Sequence, residues 1–327
     1  MVMSIAKLSD ERIGRRLRLR DLHILMSVAR CGGMGKAAAE LAVSQPAISK
    51  AIADMEHAFG VRLLDRTAQG VEPTLYGRAL LKWGAAVFDD LRQGVKEIEF
   101  LADPAAGELR IGGTEISTAG LIPAVIDRLT RKHPRIVFDV VQAQSVEQQY
   151  RDLRDRNIDL ILGRIVTPTA GDDLNCDILY DDPLLVVAGV SNKWFRRRRI
   201  DASDLVNEPW CFPRGAFIRS RLVEAFRSRG LDIPRHVVAS NGIQLLIALL
   251  AAGHFFGVLS SSMLRLSGRR LGVKVVPVDL PIQSGPVGVI TLKNRMLSPV
   301  AQLFIDHARE VARPFAKKLA GNNHVGR

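Results

Sequence analysis

Residues 43–52 read Val-Ser-Gln-Pro-Ala-Ile-Ser-Lys-Ala-Ile, and the rest of the chain is best understood outward from this stretch. Ser44 is a favourable helix N-cap, and Pro46 in the first turn sacrifices no intrahelical hydrogen bond. From Ile48 to Phe59, apolar residues recur at the spacing of a helix with one buried stripe. The sequence therefore predicts a helix that begins after Ser44 and packs through one side.

The opposite side of this helix is polar and small. Gln45, Ser49 and Lys50 lie there, and such side chains reach base edges or phosphates when a helix enters a major groove. Upstream, residues 36–41 form a short Ala-rich pattern, and only two residues separate it from Ser44. Two helices joined by so short a turn favour a helix-turn-helix, and the alternative is a plain helical hairpin in an all-α core.

A wing and a long helix are predicted next. Residues 60–66 and 71–73 are short strand patterns separated by a turn at 68–70, which predicts a hairpin. Thr74 then caps a long amphipathic pattern that stops at residues 102–104. Because that helix is too long to bury itself in a small domain, we expect it to pair with a second copy in a dimer. The predicted seam includes Leu81, Phe88 and Leu91.

These residues together resemble the winged helix of the LysR-type transcriptional regulators. The motifs that carry the resemblance are Ala37-Ala38 with Leu41, Ser44 to Ser49, Gly60 with Leu63 to Arg66, and Thr74 with Gly77. The resemblance implies binding to double-stranded operator DNA with a pseudo-palindromic sequence, and a homodimer that assembles to a homotetramer. The DNA-binding residues expected are Ser44, Gln45, Pro46, Ser49, Lys50, Arg66 and Gln69.

Two positions depart from the family pattern. Gly33 stands where the family usually has a Ser at a helix cap, which costs little because Gly is also a tolerable cap. Gln69 stands at the wing tip, where the family often has a basic residue, so we expect weaker anchoring of phosphate by the wing.

Composition and charge agree with a DNA-binding protein. A chain of 327 residues is long for one domain, and its net charge of +12 and pI near 10.1 point to a polyanionic partner. The first twenty residues are basic but lack an apolar core, so neither a signal peptide nor a membrane anchor is expected, and we expect a cytoplasmic protein. The arginines at positions 15, 16, 18 and 20 can reach the phosphate backbone or form a solubilising surface.

The three cysteines do not suggest a framework. Cys31, Cys176 and Cys211 are scattered and contain no C-x-x-C motif, which argues against structural disulfides or a structural zinc site. A redox-sensing pair of Cys176 and Cys211 is an alternative to three ordinary free thiols.

From Gly107 onward the sequence alternates between strand and helix patterns. This βαβαβ order predicts a mostly parallel sheet with helices on both faces, and a second round begins near Asp177. Two such lobes match a periplasmic-binding-protein-like effector domain, which the family resemblance also implies. The expected organisation is a winged helix-turn-helix domain at 1–74, a linker helix at 75–103 and an α/β effector domain at 104–327, with lobe I at about 107–166 and 270–327 and lobe II at about 167–269.

A ligand is expected where the carboxyl ends of strands meet helix N-termini. The effector-binding residues expected there are Thr114, Ser117, Thr118, Arg164 and Arg214. Hydroxyls, guanidinium groups and a helix N-terminus suit a small anion such as a carboxylate. The alternative is that the hydroxyls cap helices and the arginines are solvated. The run at 196–199 is interpreted as a solvated surface, with contact to flanking DNA or another subunit as its alternative.

Enzyme motifs are missing from the sequence. It has no G-x-S-x-G, H-E-x-x-H or G-x-x-x-x-G-K-[ST] motif, and its seven histidines lack metal-ligand spacing, so neither an enzyme nor a cofactor or metal is expected. The sequence predicts a transcriptional regulator whose operator binding responds to a small, anionic metabolite. A stand-alone solute-binding protein is the alternative, and a secretion signal would have supported it.

Overall fold

The computed structural model describes residues 17–67, 70–166, 171–214, 216–234, 236–240, 242–267, 271–283 and 285–316. The chain divides into two compact units, Met1–Arg92 and Gln93–Arg327. Within the described ranges, no helix has both the length and the apolar character needed to cross a membrane.

The first unit is a winged helix-turn-helix, as predicted. Its elements are α1 (Leu19–Cys31), α2 (Met34–Glu40), α3 (Gln45–Phe59), β1 (Leu64–Thr67), β2 (Gly70–Pro73) and the first part of α4 (Leu75–Ala102). Strands β1 and β2 pair antiparallel. The core is formed where the three short helices meet, with Leu25, Val28, Ile48 and Met55 fully or almost fully buried. Burial of each such side chain stabilises the unit by about 1.5–3 kcal/mol before entropy is counted.

Local chemistry sets the helix ends in this unit. The Ser44 hydroxyl accepts a hydrogen bond from the Ala47 N–H at 3.4 Å, which makes Ser44 the N-cap of α3. Helices α1 and α3 end where Gly32 and Gly60 adopt left-handed conformations with φ of 66° and 68°. A side chain would be strained at both positions, so glycine provides a stop at each helix end.

The second unit contains two five-stranded sheets. The first has the order β4-β3-β5-β12-β6 and the second the order β11-β7-β10-β8-β9. The strands of the first sheet are β3 (Ala106–Thr114), β4 (Arg135–Ala143), β5 (Leu160–Arg164), β6 (Leu174–Asp182) and β12 (Gly285–Leu292). Those of the second are β7 (Leu184–Gly189), β8 (Trp210–Pro213), β9 (His236–Ser240), β10 (Phe256–Ser260) and β11 (Val273–Val275).

Helices cover both sheets. They are α5 (Glu115–Ala119), α6 (Leu121–Thr130), α7 (Val146–Arg154), α8 (Ala216–Arg227), α9 (Ile243–Ala251), α10 (Ser261–Ser267) and α11 (Pro299–Ala316), with short 3₁₀ turns at Lys193–Arg196 and Ala202–Leu205. We call the first sheet with α5, α6, α7 and α11 lobe I, and the second with α8, α9 and α10 lobe II. Each lobe has its own buried core, so the two-lobed α/β fold is confirmed.

The sheets are mixed, whereas the sequence predicts mostly parallel ones. In lobe I, β3 pairs parallel with β4 and β5, but β12 pairs antiparallel with β5 and β6. In lobe II, β7 pairs antiparallel with β10 and β11. The cause is the double crossing of the chain, because β12 returns from lobe II and enters the first sheet against the direction of β5.

Sheet membership also differs from the predicted lobe limits at both crossings. Strand β6 belongs to lobe I, although the sequence pattern places residues from 167 onward in lobe II. Strand β11 belongs to lobe II, although the pattern places residues from 270 onward in lobe I. Strand β6 is missing from the sequence prediction because it is an edge strand whose burial alternates irregularly, with a register shift opposite Val287 and Gly288.

Candidate DNA-binding surface and effector cavity

The polar side of α3 is exposed, as a recognition helix requires. Gln45, Pro46 and Lys50 are exposed together with the cap Ser44, while Ile48 on the other side is fully buried. The first turn of α3 therefore presents an amide, a proline ring and an ammonium group to solvent. An amide can make a bidentate contact to adenine, and an ammonium group can contact guanine or phosphate.

Ser49 has a different environment from the one expected. Its side chain is half-buried, and its hydroxyl donates to the Met34 thioether sulfur at 3.2 Å. Ser49 thus lies at the contact between α2 and α3. A base contact by Ser49 would compete with that weak hydrogen bond.

The wing is attached to α3 by a residue that sequence reasoning missed. The Glu56 carboxylate accepts hydrogen bonds from the Leu63 N–H at 2.7 Å and the Leu64 N–H at 3.2 Å. Gly77 allows α4 to approach the same segment, because a Cβ atom there would lie 2.0 Å from the Leu63 carbonyl oxygen. Glu56 and Gly77 together fix where the wing begins.

Of the two predicted wing contacts, Arg66 and Gln69, the structure describes only Arg66. Arg66 belongs to β1 and lies opposite Val71 in the strand register. Gln69 falls outside the residues that the structure describes. Farther along α3, Asp54 and His57 are also exposed, and neither was predicted as part of this surface. Asp54 adds an exposed negative charge to α3.

The linker helix α4 carries an exposed apolar stripe. Its members recur at intervals of three or four residues and are 41–74% exposed: Trp83, Val87, Leu91, Val95, Ile98 and Leu101. Leu91 belongs to this stripe, as predicted. Leu81 instead packs against the core of the first unit, and the Phe88 ring lies 5.5 Å from the His23 ring. In the single chain, Leu81 and Phe88 thus contact the first unit, whereas Leu91 lies in the exposed stripe, and the apolar pattern of α4 serves an inner and an outer face.

The second unit has a large cavity between the two lobes. Its volume is about 760 Å³, which suits a small metabolite. Lobe I contributes residues such as Thr114, Ser117 and Arg164, and lobe II contributes residues such as Ser220 and Ser260. Apolar side chains make up much of the rest of the wall: Leu121, Val146, Leu162, Leu184, Ile218, Val258 and Val287.

Two of the predicted effector residues meet at this wall. The Thr114 and Ser117 hydroxyl oxygens are 3.3 Å apart, and Thr114 makes no side-chain cap bond to α5. The Ser117 hydroxyl lies 2.8 Å from the position that a Cβ atom on Gly163 would occupy. Gly163 therefore leaves room for Ser117 at the end of β5.

Two other predicted residues lie apart from the cavity wall. The Thr118 methyl group is 3.2 Å from the position of a Cβ atom on Gly113, so Thr118 packs toward β3. Arg214 is exposed, and its neighbour Pro213 lines the cavity in its place. Thr118 points away from the cavity because neighbouring residues of a helix, such as Ser117 and Thr118, are about 100° apart around the axis.

Arg164 is in the cavity wall but is held by backbone groups. Its guanidinium donates to the Gly285 carbonyl oxygen at 2.8 Å and to the Asp182 carbonyl oxygen at 3.4 Å. Burial lowers the pKa of Arg164, and the nearby Asp182 charge partly offsets that effect. A carboxylate ligand would therefore meet a buried guanidinium whose charge is already partly compensated.

Sequence reasoning missed a hydroxyl and carboxylate cluster at the hinge between the lobes. Asp182 is 3% exposed and accepts hydrogen bonds from the Ser262 N–H at 2.9 Å and the Ser262 hydroxyl at 2.6 Å. Tyr180 lines the same region, and burial raises the pKa of its phenol. These residues lie on or opposite β6, so they could not be placed without that strand.

A second carboxylate, Glu147, also lines the cavity. Its pKa is lowered by hydrogen bonds from its own backbone N–H and from Ser145, the residue that caps α7. Glu147 is thus ionised at neutral pH. Glu147 follows the carboxyl end of β4. Ligands bind at the carboxyl ends of strands in such sheets, so the sequence contained a signal for Glu147.

The cysteines do not form a pair. Cys176 is exposed on β6 of lobe I, and Cys211 is buried on β8 of lobe II. Burial raises the pKa of Cys211 to about 12, which disfavours the thiolate that oxidation needs. The geometry gives no support to the redox alternative.

Family models match both parts of the chain. The model described as "Bacterial regulatory helix-turn-helix protein, lysR family" matches residues 19–78, and the "LysR substrate binding domain" model matches residues 102–313. The second match alone covers more than half of the chain. Because the first match adds a DNA-binding domain, a stand-alone solute-binding protein is not supported.

Named relatives agree with these matches. The chain is 28% identical to "HTH-type transcriptional regulator GbpR" of Azospirillum brasilense over 88% of this chain and 84% of the relative. It is 24% identical to "HTH-type transcriptional regulator TdcA" of Escherichia coli K12 over 90% and 93% of the two chains. Both are named as regulators, which confirms the prediction of a regulator and not an enzyme.

Solved structures show the same fold. A full-length OxyR variant from Pseudomonas aeruginosa is 21% identical, with a TM-score of 0.64 over 91% of this chain and 97% of that one. A structure of full-length CbnR with its target DNA is 20% identical, with a TM-score of 0.59 over 90% and 100% of the two chains. The chain belongs to the LysR family and is a DNA-binding transcriptional regulator with an effector-binding domain.

Proposed function

We propose that this regulator reads its operator with the exposed side of α3, and that a small molecule bound between the lobes changes operator binding. The observation that carries the proposal is the 760 Å³ cavity, because lobes I and II both supply its walls. A ligand held by both lobes stabilises their closed arrangement. Only a ligand that binds the two arrangements with different affinity can shift their populations.

The proposed base contacts come from the first turns of α3. Gln45 and Lys50 are exposed and carry the chemistry of base-edge recognition. Ser44 and Pro46 shape the start of the helix, where free N–H groups favour a phosphate. Ser49 is proposed to contact the operator as a secondary residue.

The wing is proposed to add contacts from Arg66 and Gln69. A wing arginine supports phosphate binding, which positions a protein on DNA without reading sequence. For the chain as a whole, we retain residues 1–74 as the DNA-binding domain and 75–103 as the linker.

The proposed ligand is a small acid with an apolar body. The apolar part of the wall accounts for that body. Thr114, Ser117 and Arg164 offer hydroxyl and guanidinium donors for a carboxylate. Two acids of the same cavity wall, the ionised Glu147 and the buried Asp182, oppose any further negative charge on the ligand. We therefore propose a ligand with one carboxylate in preference to a diacid or a phosphate. Thr118 and Arg214 do not line the cavity, and we propose that they support ligand binding indirectly, through the residues that do.

The proposed assembly is a homodimer that forms a homotetramer on operator DNA in the cytoplasm. The exposed stripe of α4 supports the dimer, because six large apolar side chains at intervals of three or four residues can pack against the same stripe of a second copy. Water contact with so continuous a stripe is unfavourable in a single chain.

A matched ligand screen tests the proposal. The purified full chain is melted with a panel of monocarboxylic acids, their primary amides and the corresponding diacids. The expected result is that some acid raises the melting temperature while its amide does not, and that the same acid changes the affinity or footprint on the chain's own upstream DNA. Stabilisation by amides or diacids alone would contradict the monocarboxylate, and stabilisation without any change on DNA would contradict the coupling.

A further inference from the structure

The positive charge of the chain is concentrated in one lobe. Residues 183–282 contain fifteen Lys and Arg residues but six Asp and Glu residues, which gives a net charge of +9. The rest of the second unit, residues 93–182 and 283–327, contains seventeen basic and eighteen acidic residues, which gives −1. Most of the net charge of +12 is therefore carried by lobe II, and not by the winged helix that reads DNA.

Much of this charge lies on one layer of lobe II. Strand residues alternate between two cores, with Trp210 and Phe212 facing one core and Cys211 facing the other. The first core is covered by the 3₁₀ turn at Lys193–Arg196 and by α8, through residues such as Trp194 and Phe226. The other core is covered by α9, whose sequence contains no charged residue. The exposed arginines at 196–198 and on α8 thus belong to segments that cover the same side of the sheet, and we call that side the outer surface of lobe II.

Most acidic residues of lobe II are already paired. Glu208 pairs with Lys193 at 3.1 Å, and Asp201 pairs with Arg199 at 3.3 Å. Three further acids are paired in the same way: Asp204 with Arg197, Glu224 with Arg221, and Asp279 with Arg229.

Four exposed arginines of this surface have no carboxylate partner within the described ranges. They are Arg196, Arg198, Arg219 and Arg227. Local pairing leaves these guanidinium groups uncompensated, so the surface as a whole attracts anions.

Aromatic side chains hold part of the surface in place. The Arg197 guanidinium lies 4.1 Å from the centre of the Trp194 ring, and the Lys274 ammonium lies 5.2 Å from that of Phe195. Trp194 is itself 6% exposed, so it anchors the segment in the core. A cation that is already ordered by stacking on a ring loses less conformational entropy when it binds an anion.

We propose that this outer surface of lobe II, defined by Arg196, Arg198, Arg219 and Arg227, binds the phosphate backbone of double-stranded DNA in addition to the winged helix. Guanidinium groups match phosphate oxygens in pairs, and a polyanion gains more than a small ion from several adjacent cations. DNA is the polyanion that a regulator of this family necessarily meets. The inference rests on the DNA-binding function and adds a second, sequence-independent contact to it.

The test compares two sets of four substitutions in the full chain. One variant changes Arg196, Arg198, Arg219 and Arg227 to Gln. The control changes Lys132, Arg151, Lys293 and Arg313 to Gln, which are four exposed cations of lobe I. Affinities for duplexes of about 20 and about 60 base pairs of unrelated sequence are measured over a range of salt concentrations. Circular dichroism melting checks folding, and a variant with only Arg196 and Arg198 changed replaces the first if that one melts early.

Each lost phosphate contact lowers the slope of log K against log salt by about 0.9. We expect the lobe II variant to lose at least about 2 from that slope on the longer duplex, while the lobe I control keeps the wild-type slope. Equal slopes for the two variants would overturn the inference and leave the DNA-binding function intact. Loss of binding to an acidic protein or to anionic vesicles with unchanged DNA binding would also overturn it. Failure of the wild type to bind either duplex would also overturn the inference, because backbone contacts do not depend on sequence, while binding to the chain's own upstream DNA tests the DNA-binding function separately.

Discussion

The Thr114 and Ser117 hydroxyl oxygens lie 3.3 Å apart at the wall of the effector cavity, and neither is occupied in capping α5. This arrangement predicts that Ser117→Ala and Thr114→Val leave operator affinity without ligand nearly unchanged. We expect both variants to lose the ligand-dependent change in footprint. A cap residue would instead cost about 1 kcal/mol of stability and leave the response intact. Melting temperature and footprint measured on the same variants separate these outcomes.

Gly163 offers an independent test of that site. Gly163→Ala would place a methyl group 2.8 Å from the Ser117 hydroxyl, so the hydroxyl must rotate away. We expect weakened ligand binding by the acid found in the screen, with a smaller effect on folding than a core substitution. Isothermal titration with that acid measures it. Wild-type affinity in Gly163→Ala would remove Ser117 from the site.

Gln45 is expected to specify one operator position. Gln45→Ala removes an exposed amide that can make a bidentate contact to a base, so discrimination at that position should fall by about 1–3 kcal/mol. Binding to unrelated DNA should persist. Competition binding with single-base operator variants makes the measurement. A uniform loss over all sequences would assign Gln45 to a phosphate.

The exposed stripe of α4 is expected to hold the dimer. Leu91→Asp with Val95→Asp places charges in the stripe, where both residues are about half exposed, and should give folded monomers with poor operator affinity. The control Lys82→Asp changes a residue off the stripe. Sedimentation decides the matter, and an unchanged dimer in the double variant would show that another surface holds the copies together.

Leu81→Asp should behave differently from the stripe variants. Leu81 is partly buried against the core of the first unit, so a charge at this position is expected to unfold that unit. Circular dichroism of the full chain should show loss of the first transition while the second unit still melts. A folded monomer would place Leu81 in the seam after all.

Asp159 predicts an acid-sensitive second unit. It is 3% exposed and accepts hydrogen bonds from Arg295 at 2.8 Å and from Arg110 at 3.1 Å, and Lys96 of α4 lies 3.4 Å away. Burial disfavours its charge, but the hydrogen bonds from Arg110 and the nearby cations outweigh that effect and lower the pKa of Asp159.

Because the pKa of Asp159 is lower in the folded state, its contribution to stability is present above the unfolded pKa of about 3.9 and is lost as pH falls further. Asp159→Asn leaves Arg295 buried beside a neutral amide and should cost about 3–5 kcal/mol at neutral pH. Urea unfolding at about pH 7 and about pH 3.5 should show the gap between variant and wild type narrowing in acid. A gap of the same size at both pH values would mean that the Asp159 charge is not involved.

The winged helix could be predicted closely because its signals are local. The cap at Ser44 and the apolar stripe from Ile48 each act within one or two turns. The two-lobed α/β fold also followed from alternating patterns. By contrast, strand β6 and the direction of β12 depend on pairing between segments about a hundred residues apart, and no local pattern determines such pairing.

The sites show the same division. Thr114 and Arg164 are the last residues of their strands, Ser117 follows soon after, and all three line the cavity. The partners that limit Arg164, the carbonyl oxygens of Asp182 and Gly285, come from β6 and the start of β12. The role of Arg164 as a free anion ligand could not be judged without those long-range contacts.

The central claim is that a ligand in the lobe cavity changes how the winged helix binds DNA. The most direct measurement is an operator titration followed by fluorescence anisotropy, with and without the monocarboxylic acid that stabilises the chain, in the wild type and in Ser117→Ala. We predict that the acid changes the wild-type Kd or the footprint and does neither in Ser117→Ala. A wild type that binds the acid, as its melting temperature shows, yet binds the operator identically with and without it would contradict the claim.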